Sequence, residues 1–409
     1  MFLYGTLLPL GIILFVSSLS DASDIELNND NDSIKQQKPT KVWIDTDPSG
    51  LVWTGLDCDD DLAVLVALAL HQRGDIDLQG ISISGGNAPL AHTWPDIHRL
   101  LEYVAMVVNI KPVKGYGWKS MYIAWRRMNF LTPDIDDSQD ATDALIELSQ
   151  RDTTSSTSIL MLGPNTNLAR AIDGGLKIQE GSAIDHVYLM GGEMTGQQID
   201  LNFRSDRAAA RTVLDSELPT TIIPIQTCGQ VTVTQSYLDQ LDCPGMAACA
   251  LMPKMKQQIK LMPRMVNQAV KKRLLENDPN SRWKATPNLD YGFVPWDVIA
   301  LLAISHPEEL FDEWEYHRVA IPPCAGLEPC DKTMKVLENL GPDYNVGNWS
   351  GIVRVPHQVR NETLLLDTMF SLLGELPAVH PKPPPLFWGF IGTTVGLAGG
   401  TIALLLWIF

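Results

Sequence analysis

Residues 41–48 read Lys-Val-Trp-Ile-Asp-Thr-Asp-Pro, and residues 57–68 read Asp-Cys-Asp-Asp-Asp-Leu-Ala-Val-Leu-Val-Ala-Leu. The first stretch is a short apolar run that ends in acids, which is typical of a buried strand that stops at a polar site. The second opens with acids and continues as an unbroken apolar run, which is typical of a buried helix. Together they predict a strand–loop–helix unit with a cluster of carboxylates at its junction.

The same alternation of strand and helix continues along the chain. Further strand-like runs lie at 78–84, 158–162, 186–190 and 220–225. Helical stretches lie between them at 61–72, 94–107 and 143–150. This order predicts an α/β fold, namely an open, mostly parallel, Rossmann-like sheet with helices on both faces and a single large domain over residues 41–378. In such sheets ligands bind at the carboxyl ends of the strands, where the acids of this chain lie.

Both ends of the chain are apolar and predict a secretory-pathway protein that is anchored to a membrane. Residues 1–22 resemble a signal peptide, with an uncleaved anchor helix as the alternative, and residues 23–40 are too polar to fold. A Pro-rich spacer at 379–385 precedes residues 386–409, which are long and apolar enough for a transmembrane helix. A glycolipid-anchor signal is the alternative for this tail. Either way the folded body is expected to be extracellular or lumenal.

The cysteines and the glycosylation triplets agree with that compartment. Two close pairs, Cys243/Cys249 and Cys324/Cys330, could form disulfides in an oxidising environment. Acceptor triplets for N-glycosylation begin at Asn31, Asn348 and Asn361.

The net charge limits the partners. At −17 the chain repels the phosphate backbone of nucleic acids, so polymeric DNA or RNA is not the expected substrate. A small molecule without phosphate is not repelled. A basic, amphipathic stretch at 250–275 could lie on a membrane, but helices with one face on the core are the simpler interpretation.

The acids at the first junction predict a cation site. Carboxylates this close to a buried strand end repel one another, so without a cation several must take up protons or stay solvated. Calcium binds about six to eight oxygen ligands, including carboxylates and carbonyls, and suits the cluster. A solvated loop that caps the helix is the alternative, but it accounts for only some of the acids.

Six motifs, in order over residues 41–375, resemble those of the inosine-uridine-preferring nucleoside hydrolase family. The family signature is a strand, then Asp-x-Asp-Pro, then an Asp pair that opens a helix. Here an insertion at 49–57 separates the halves, and the pair falls on Asp59-Asp60 or, shifted by one, on Asp60-Asp61; the first register fits the helix better. The other motifs are Gly86-Asn87, Gly163 to Ala169, Met190-Gly191-Gly192, Asp200 to Phe203, and Pro295-Trp296-Asp297.

The resemblance implies hydrolysis of the N-glycosidic bond of ribonucleosides by a calcium-activated water, with Asp47 as the general base. The metal ligands it implies are Asp47, Asp60, the carbonyl of Leu162, and Asp297. The substrate-binding residues it implies are Asp59, Asn87, Asp200, Asn202 and Trp296. Members of the family are usually homo-oligomers.

The chain departs from the family pattern at three points. Trp296 stands where many members have a His; this resembles the purine-preferring branch, in which an aromatic ring stacks on the base. Asp200 replaces a longer Glu, and the segment after Gly192 lacks a second Gly-Asn. Trp53 and Trp118 are candidates for a second stacking residue.

Two other functions remain open at this point. A non-catalytic nucleoside- or sugar-binding surface protein could keep the fold without turnover. An Asp-dependent phosphatase also begins with an acidic strand end, but it leaves Gly86-Asn87 and Trp296-Asp297 unexplained. The histidines, among them His317 and His357, lie outside any catalytic motif and are interpreted as surface or structural residues.

Overall fold

The apolar run after Thr40 forms an inner strand of a nine-stranded sheet in the computed structural model. The structure describes residues 38–51, 57–104, 110–117, 140–151, 156–178, 181–195, 200–241, 246–265, 292–322 and 334–378. From Pro39 onward the described residues belong to one compact unit. The predicted signal peptide, Pro-rich spacer and C-terminal helix, and all but the last residues of the leader, lie outside them. Within these ranges, no helix combines the length and the apolar character that a membrane span requires.

The large sheet has the order β10-β9-β11-β6-β5-β4-β1-β2-β3. Its strands are β1 Thr40–Thr46, β2 Ile76–Gly85, β3 Val113–Gly117, β4 Thr157–Met161, β5 Ile184–Met190, β6 Thr220–Ile223, β9 Phe311–Ala320, β10 Lys335–Gly341 and β11 Ile352–Val359. A separate antiparallel pair consists of β7 Val233–Thr234 and β8 Gly292–Phe293. Neighbouring strands of the large sheet are parallel, except that β9 runs antiparallel to both β10 and β11. The predicted α/β class and mostly parallel sheet are confirmed, whereas the antiparallel edge was not predicted.

The direction of strand addition reverses next to β1. The chain passes from β1 to β2 and β3 on one side, and then returns to place β4 on the other side of β1. Asp45 pairs with Ser82 of β2 and with Met161 of β4, so the carboxyl ends of the three strands meet. A reversal of this kind opens a crevice at the strand ends, which is where such sheets bind ligands.

Helices flank the sheet. They are α1 Asp59–Arg73, α2 Leu90–Tyr103, α3 Asp140–Ser149, α4 Thr166–Asp173, α5 Leu201–Ser205, α6 Arg207–Asp215, α7 Ile225–Cys228, α8 Gln235–Leu238, α9 Met252–Met265, α10 Trp296–Ser305, α11 Pro307–Leu310 and α12 Glu362–Gly374. A short 3₁₀ helix spans Ala247–Ala250.

Helix α1 forms the centre of the larger hydrophobic core. Every residue from Asp59 to Leu70 is buried, because the helix lies against α10 and α12 on one side and against β2 on the other. It ends where Gly74 adopts a left-handed conformation (φ 82°) and its amide bonds to the carbonyl of His71. Burying this helix brings its acidic first turn into the interior at the strand ends.

The part of the basic segment that the structure describes forms helix α9, and its residues up to Lys260 have one face on the core, which agrees with the simpler interpretation over those residues. In α9, Met255 and Gln258 are buried, whereas Lys256 and Lys260 are exposed. The Gln258 amide nitrogen lies 2.5 Å from the Asp57 carboxylate, so α9 supports the loop that leads into α1.

Two of the cysteines are free thiols, and one forms a disulfide. Cys58 and Cys228 are buried and free, and Cys249 is disulfide-bonded. Cys243, Cys324 and Cys330 lie outside the described residues, so the predicted pairings stay predictions.

Candidate active site

Asp45 holds β1 to its neighbours at the switch point. Its carboxylate accepts hydrogen bonds from Ser82 Oγ at 2.5 Å and from Asn167 Nδ2 at 2.8 Å. Burial raises the pKa of Asp45 to about 7, although these hydrogen bonds lower it. The side chain therefore joins β1, β2 and α4 beneath the site.

Asp47 lies two residues further, past the end of β1, and is buried. One of its oxygens accepts a hydrogen bond from the main-chain amide of Asn87. The other, Oδ1, is buried without a hydrogen-bond partner among the described residues. Burial, and next the charge of Asp60, raise the pKa of Asp47 well above its usual value. A buried carboxylate oxygen is stabilised by a hydrogen-bond donor, a proton or a cation, so this one is a candidate metal ligand.

Glycines on two sides make room for the Asp47 carboxylate. A Cβ on Gly86 or on Gly163 would overlap its oxygens. These glycines come from the Gly-Asn and Gly-Pro motifs that the sequence singled out, so their small size has a direct structural reason.

Asp60 is held by three donors at the start of α1. Thr46 Oγ1 lies 2.5 Å and the Asp47 amide 3.0 Å from its Oδ1, and Asn87 Nδ2 lies 2.7 Å from its Oδ2. Burial is the main cause that raises the pKa of Asp60. The residue therefore connects the ends of β1 and β2 to the helix.

Asp61 turns away from this group. Its Oδ2 accepts hydrogen bonds from the amides of Ser49 and Gly50, at 3.2 and 2.7 Å. Its role is to fix the start of the insertion at 49–57. The sequence left two registers open for the Asp pair. In the structure Asp59 and Asp60 lie at the candidate site, whereas Asp61 bonds to the inserted loop.

Asp297 completes a buried group of three carboxylates. It lies in the first turn of α10, and Asp59, Asp60 and Asp297 each offer an oxygen within 4.8 Å of the others. Burial, and next the charges of Asp59 and Asp60, raise the pKa of Asp297 well above its usual value. Burial, and next the charge of Asp57, also raise the pKa of Asp59 well above its usual value. Acids that repel each other in this way could hold a metal ion, which would replace the protons.

The carbonyl of Leu162 lies at the end of β4, beside β1. The Leu162 amide donates to the carbonyl of Asp45 at 2.8 Å. Its own carbonyl accepts from Asn202 Nδ2 at 2.5 Å, and the same nitrogen lies 3.1 Å from the carbonyl of Met190. Asn202 therefore links the ends of β4 and β5. It also contacts Leu162, so the residue assigned to the sugar by the resemblance bonds to the one assigned to the metal.

Asp200 serves as the N-cap of α5. Its oxygens accept from the amides of Asn202 and Phe203, at 3.1 and 3.0 Å. Burial raises its pKa to about 6 despite these bonds. The sequence predicted sugar binding here; the structure shows that both carboxylate oxygens already hold the backbone of the next helix.

Trp296 begins α10 directly before Asp297. It is partly buried against the larger core, and its carbonyl lies 3.7 Å from the thiol of Cys228. It directly precedes Asp297 in the chain. Trp53 and Trp118, the candidates for a second stacking residue, lie outside the described residues.

Sequence reasoning missed several residues that support the site. Besides Asp45 and Thr46, Glu193 is buried after the Met190-Gly191-Gly192 motif. The Glu193 carboxylate accepts from Gln226 Nε2 at 2.5 Å and from the Thr195 amide at 2.8 Å. The signal for Glu193 was its position directly after a strand-end motif, where an acid is rarely buried without a reason.

Comparisons with known proteins identify the family and support the fold. The sequence profile described as "Inosine-uridine preferring nucleoside hydrolase" matches residues 42–340. A plant nucleoside hydrolase is similar in structure, with a TM-score of 0.57 and 18% identity over 82% of this chain and 99% of its own. A purine-preferring ribonucleoside hydrolase from Gardnerella vaginalis is also similar, with a TM-score of 0.54 and 18% identity over 82% of this chain and 98% of its own. No curated protein matches the chain by sequence.

At these identities the solved structures support the fold alone, whereas the profile spans the greater part of the chain. It covers all the residues that the sequence analysis assigned to metal, sugar and base. The site lies at the switch point of the sheet, and its glycines, acids and amides come from the motifs in the predicted order. The chain therefore belongs to the inosine-uridine-preferring nucleoside hydrolase family and is a ribonucleoside hydrolase.

Proposed function

We propose that the chain hydrolyses purine ribonucleosides to free base and ribose, with a calcium ion bound by Asp47, Asp60, the Leu162 carbonyl and Asp297, and with Asp47 as the general base. Membership of the family supports ribonucleoside hydrolysis in general. The observation that carries the finer proposal is the unpartnered, buried Oδ1 of Asp47 beside the group Asp59, Asp60 and Asp297.

The residues present fit a divalent cation. Their donors are carboxylate and carbonyl oxygens, which hard cations such as calcium prefer over nitrogen or sulfur. When bound, calcium would supply charge that offsets the carboxylates and lowers the pKa of a neighbouring water. Without it, burial and mutual repulsion raise the pKa values of Asp47 and Asp297 well above their usual range.

Asp47 is the acid best placed to act as the base. Its Oδ2 is fixed by the amide of Asn87, so the carboxylate keeps one orientation and its Oδ1 stays available to accept a proton. The glycines at 86 and 163 leave space beside the carboxylate. Deprotonation of an attacking water at this oxygen places the proton on Asp47 during the reaction.

The sugar would be held by Asp59, Asn87, Asp200 and Asn202. A site that pairs ribose hydroxyls rejects a sugar that lacks one, because buried partners are then left unpaired. Trp296 would stack on the base, which is the basis of the proposed purine preference.

The compartment is also a proposal. Cys249 is disulfide-bonded, and Asn348 and Asn361 of the glycosylation triplets are exposed. Both observations fit an extracellular or lumenal domain. The signal peptide and the membrane anchor rest on the apolar sequence of residues 1–22 and 386–409 alone.

The first experiment is a base-release assay. The purified chain is incubated with inosine, guanosine, adenosine, uridine and cytidine, in calcium and in a calcium chelator, and free base and ribose are measured. We expect calcium-dependent release, fastest for purines. Asp47→Asn should lower kcat by about 10²–10⁴-fold, while Asp367→Asn, a matched change on the exposed face of α12, should leave it unchanged. Equal release in chelator would contradict the role of calcium, and faster release from uridine and cytidine would contradict the purine preference.

A further inference from the structure

A second buried group of metal-binding side chains lies outside the candidate active site. Glu315 and His317 are on β9, and His357 is on β11. They are 7%, 3% and 6% exposed. One ligand atom from each lies within 4.8 Å of the others. None of the three belongs to the motifs that form the active site.

The sheet register brings the three side chains together. Glu315 and His317 are two residues apart on one strand, so they share a face of the sheet. β11 pairs antiparallel with β9, with Val355 opposite Glu315 and Val353 opposite His317. His357 is two residues further on the same face as Val355, and its ring reaches back toward Glu315.

The distances resemble those within a metal coordination shell. His317 Nε2 and His357 Nε2 are 2.9 Å apart, and Glu315 Oε2 lies 3.2 Å from His357 Nε2 and 3.9 Å from His317 Nε2. Zinc bonds of about 2.0–2.2 Å at tetrahedral angles place ligand atoms about 3.3–3.6 Å apart. An ion between the three would need movements of only a few tenths of an ångström.

The carboxylate is also held by a neighbour, as metal-bound carboxylates are. Asn339 on β10 lies opposite His317, and its side-chain amide donates to Glu315 Oε2 at 2.7 Å. The amide oxygen of Asn339 is fixed in turn by the amide of Gly341 at 2.8 Å. The group therefore links β10, β9 and β11, which form the antiparallel edge of the sheet.

Charge favours a cation at this place. Two imidazole nitrogens at 2.9 Å cannot both carry a proton toward each other, and a buried carboxylate beside them attracts a cation. One divalent ion could bond to the carboxylate and to both nitrogens at once. In the metal-free protein, one ring must donate to the other.

We propose that Glu315, His317 and His357 bind a divalent transition-metal ion of the zinc type, which fastens β9 to β11. Two imidazoles and one carboxylate suit zinc, whereas calcium prefers sites made of oxygen alone. The chain thus has two chemically different cation sites, and this one stabilises the sheet edge and takes no part in the hydrolysis.

The test uses the full chain without a polyhistidine tag, stripped of metal and then titrated with Zn²⁺ or Co²⁺ in excess Ca²⁺, which occupies the carboxylate site. Metal content and the visible absorption of Co²⁺ report binding, and thermal unfolding reports its effect. The variants are Glu315→Gln and His357→Gln, with His306→Gln as a matched control at a partly buried histidine and Asp297→Asn as the active-site control.

We expect one zinc-type ion per wild-type chain, retained in excess Ca²⁺, intense Co²⁺ bands, and a higher unfolding temperature with zinc. His357→Gln and Glu315→Gln should each weaken binding at least about tenfold and abolish the thermal shift, while His306→Gln and Asp297→Asn retain both. Since a variant could fail to fold, X-ray absorption of the zinc-loaded wild type is measured as well, and two imidazoles in its first shell are expected. Zinc binding that is lost in excess Ca²⁺, that is equal in all variants, or that shows no imidazole would overturn the proposal.

Discussion

Asn87 connects Asp47, which follows β1, to Asp60, which lies at the start of α1. Its side-chain nitrogen lies 2.7 Å from Asp60 Oδ2, and its main-chain amide donates to Asp47. The resemblance assigns Asn87 to ribose, but in the structure it orients both proposed metal ligands. Residues that orient metal ligands affect affinity for the ion as well as activity.

We therefore predict that Asn87→Ala weakens calcium binding, because Asp60 Oδ2 loses a donor and its carboxylate is less well held. The expected effect is about 10–100-fold in apparent calcium affinity. The measurement is the calcium dependence of base release, together with calorimetric titration of the ion. If Asn87 serves ribose alone, the variant will show a higher KM for nucleoside and an unchanged calcium affinity.

A second prediction concerns the acid pair under the inserted loop. Asp96 accepts a hydrogen bond from the Leu51 amide at 3.3 Å and shares a hydrogen bond with Asp61. Burial raises the pKa of Asp96 from 3.8 to about 6. Because the folded pKa is the higher one, the protonated pair stabilises the fold fully below pH 3.8, and this stability is lost as the pH rises through about 6.

Asp96→Asn removes this titration and leaves an amide that can donate to Asp61. At pH 7.5 the variant should be more stable than the wild type by about 1–3 kcal/mol, and the difference should vanish near pH 4. Urea unfolding in chelator across this range measures it, with Asp367→Asn as the exposed control. A difference that is the same at every pH would contradict the assignment to Asp96.

The third prediction addresses base recognition. Trp296→Ala should raise KM for purine nucleosides, because stacking contributes about 1–3 kcal/mol per base. Steady-state kinetics with inosine and uridine measure the effect, which should be larger for inosine. Trp314, another partly buried tryptophan, which lies on β9 under Arg354, provides the control: Trp314→Ala should lower stability and leave KM unchanged. An equal loss for both nucleosides would show that Trp296 does not select the base.

The sequence predicted the acids of the site because strand ends and helix starts are visible in the apolar pattern. Asp47 follows an apolar run and Asp297 opens another, so both could be placed at one edge of the sheet. The choice between Asp59-Asp60 and Asp60-Asp61 stayed open, since it depends on which carboxylate the amides of Ser49 and Gly50 engage. That contact forms only when the loop folds.

The side-chain group at the antiparallel edge could not be predicted from the sequence, for a different reason. Glu315-Tyr-His317 reads as an ordinary alternating strand, and His357 lies 40 residues further along the chain. Only the pairing of β9 with β11 brings the three side chains together, and no local pattern specifies that register. The capping role of Asp200 was missed for a related reason: α5 is too short for its periodicity to be seen in the sequence.

Asp200 allows the fourth prediction, because substitution by Asn separates capping from sugar binding. Asn is as good a cap as Asp, whereas Ala is a poor one, so Asp200→Ala should lower the free energy of unfolding by about 1 kcal/mol and Asp200→Asn should change it little. If the carboxylate also binds ribose, Asp200→Asn will reduce kcat/KM while stability is kept, and the loss will be smaller for a 2′- or 3′-deoxynucleoside that lacks the hydroxyl concerned. Unfolding curves and kinetics of the two variants, measured side by side, distinguish these cases. Full activity of Asp200→Asn, with reduced stability and activity of Asp200→Ala, would assign Asp200 to the cap of α5 and leave the sugar to Asp59, Asn87 and Asn202.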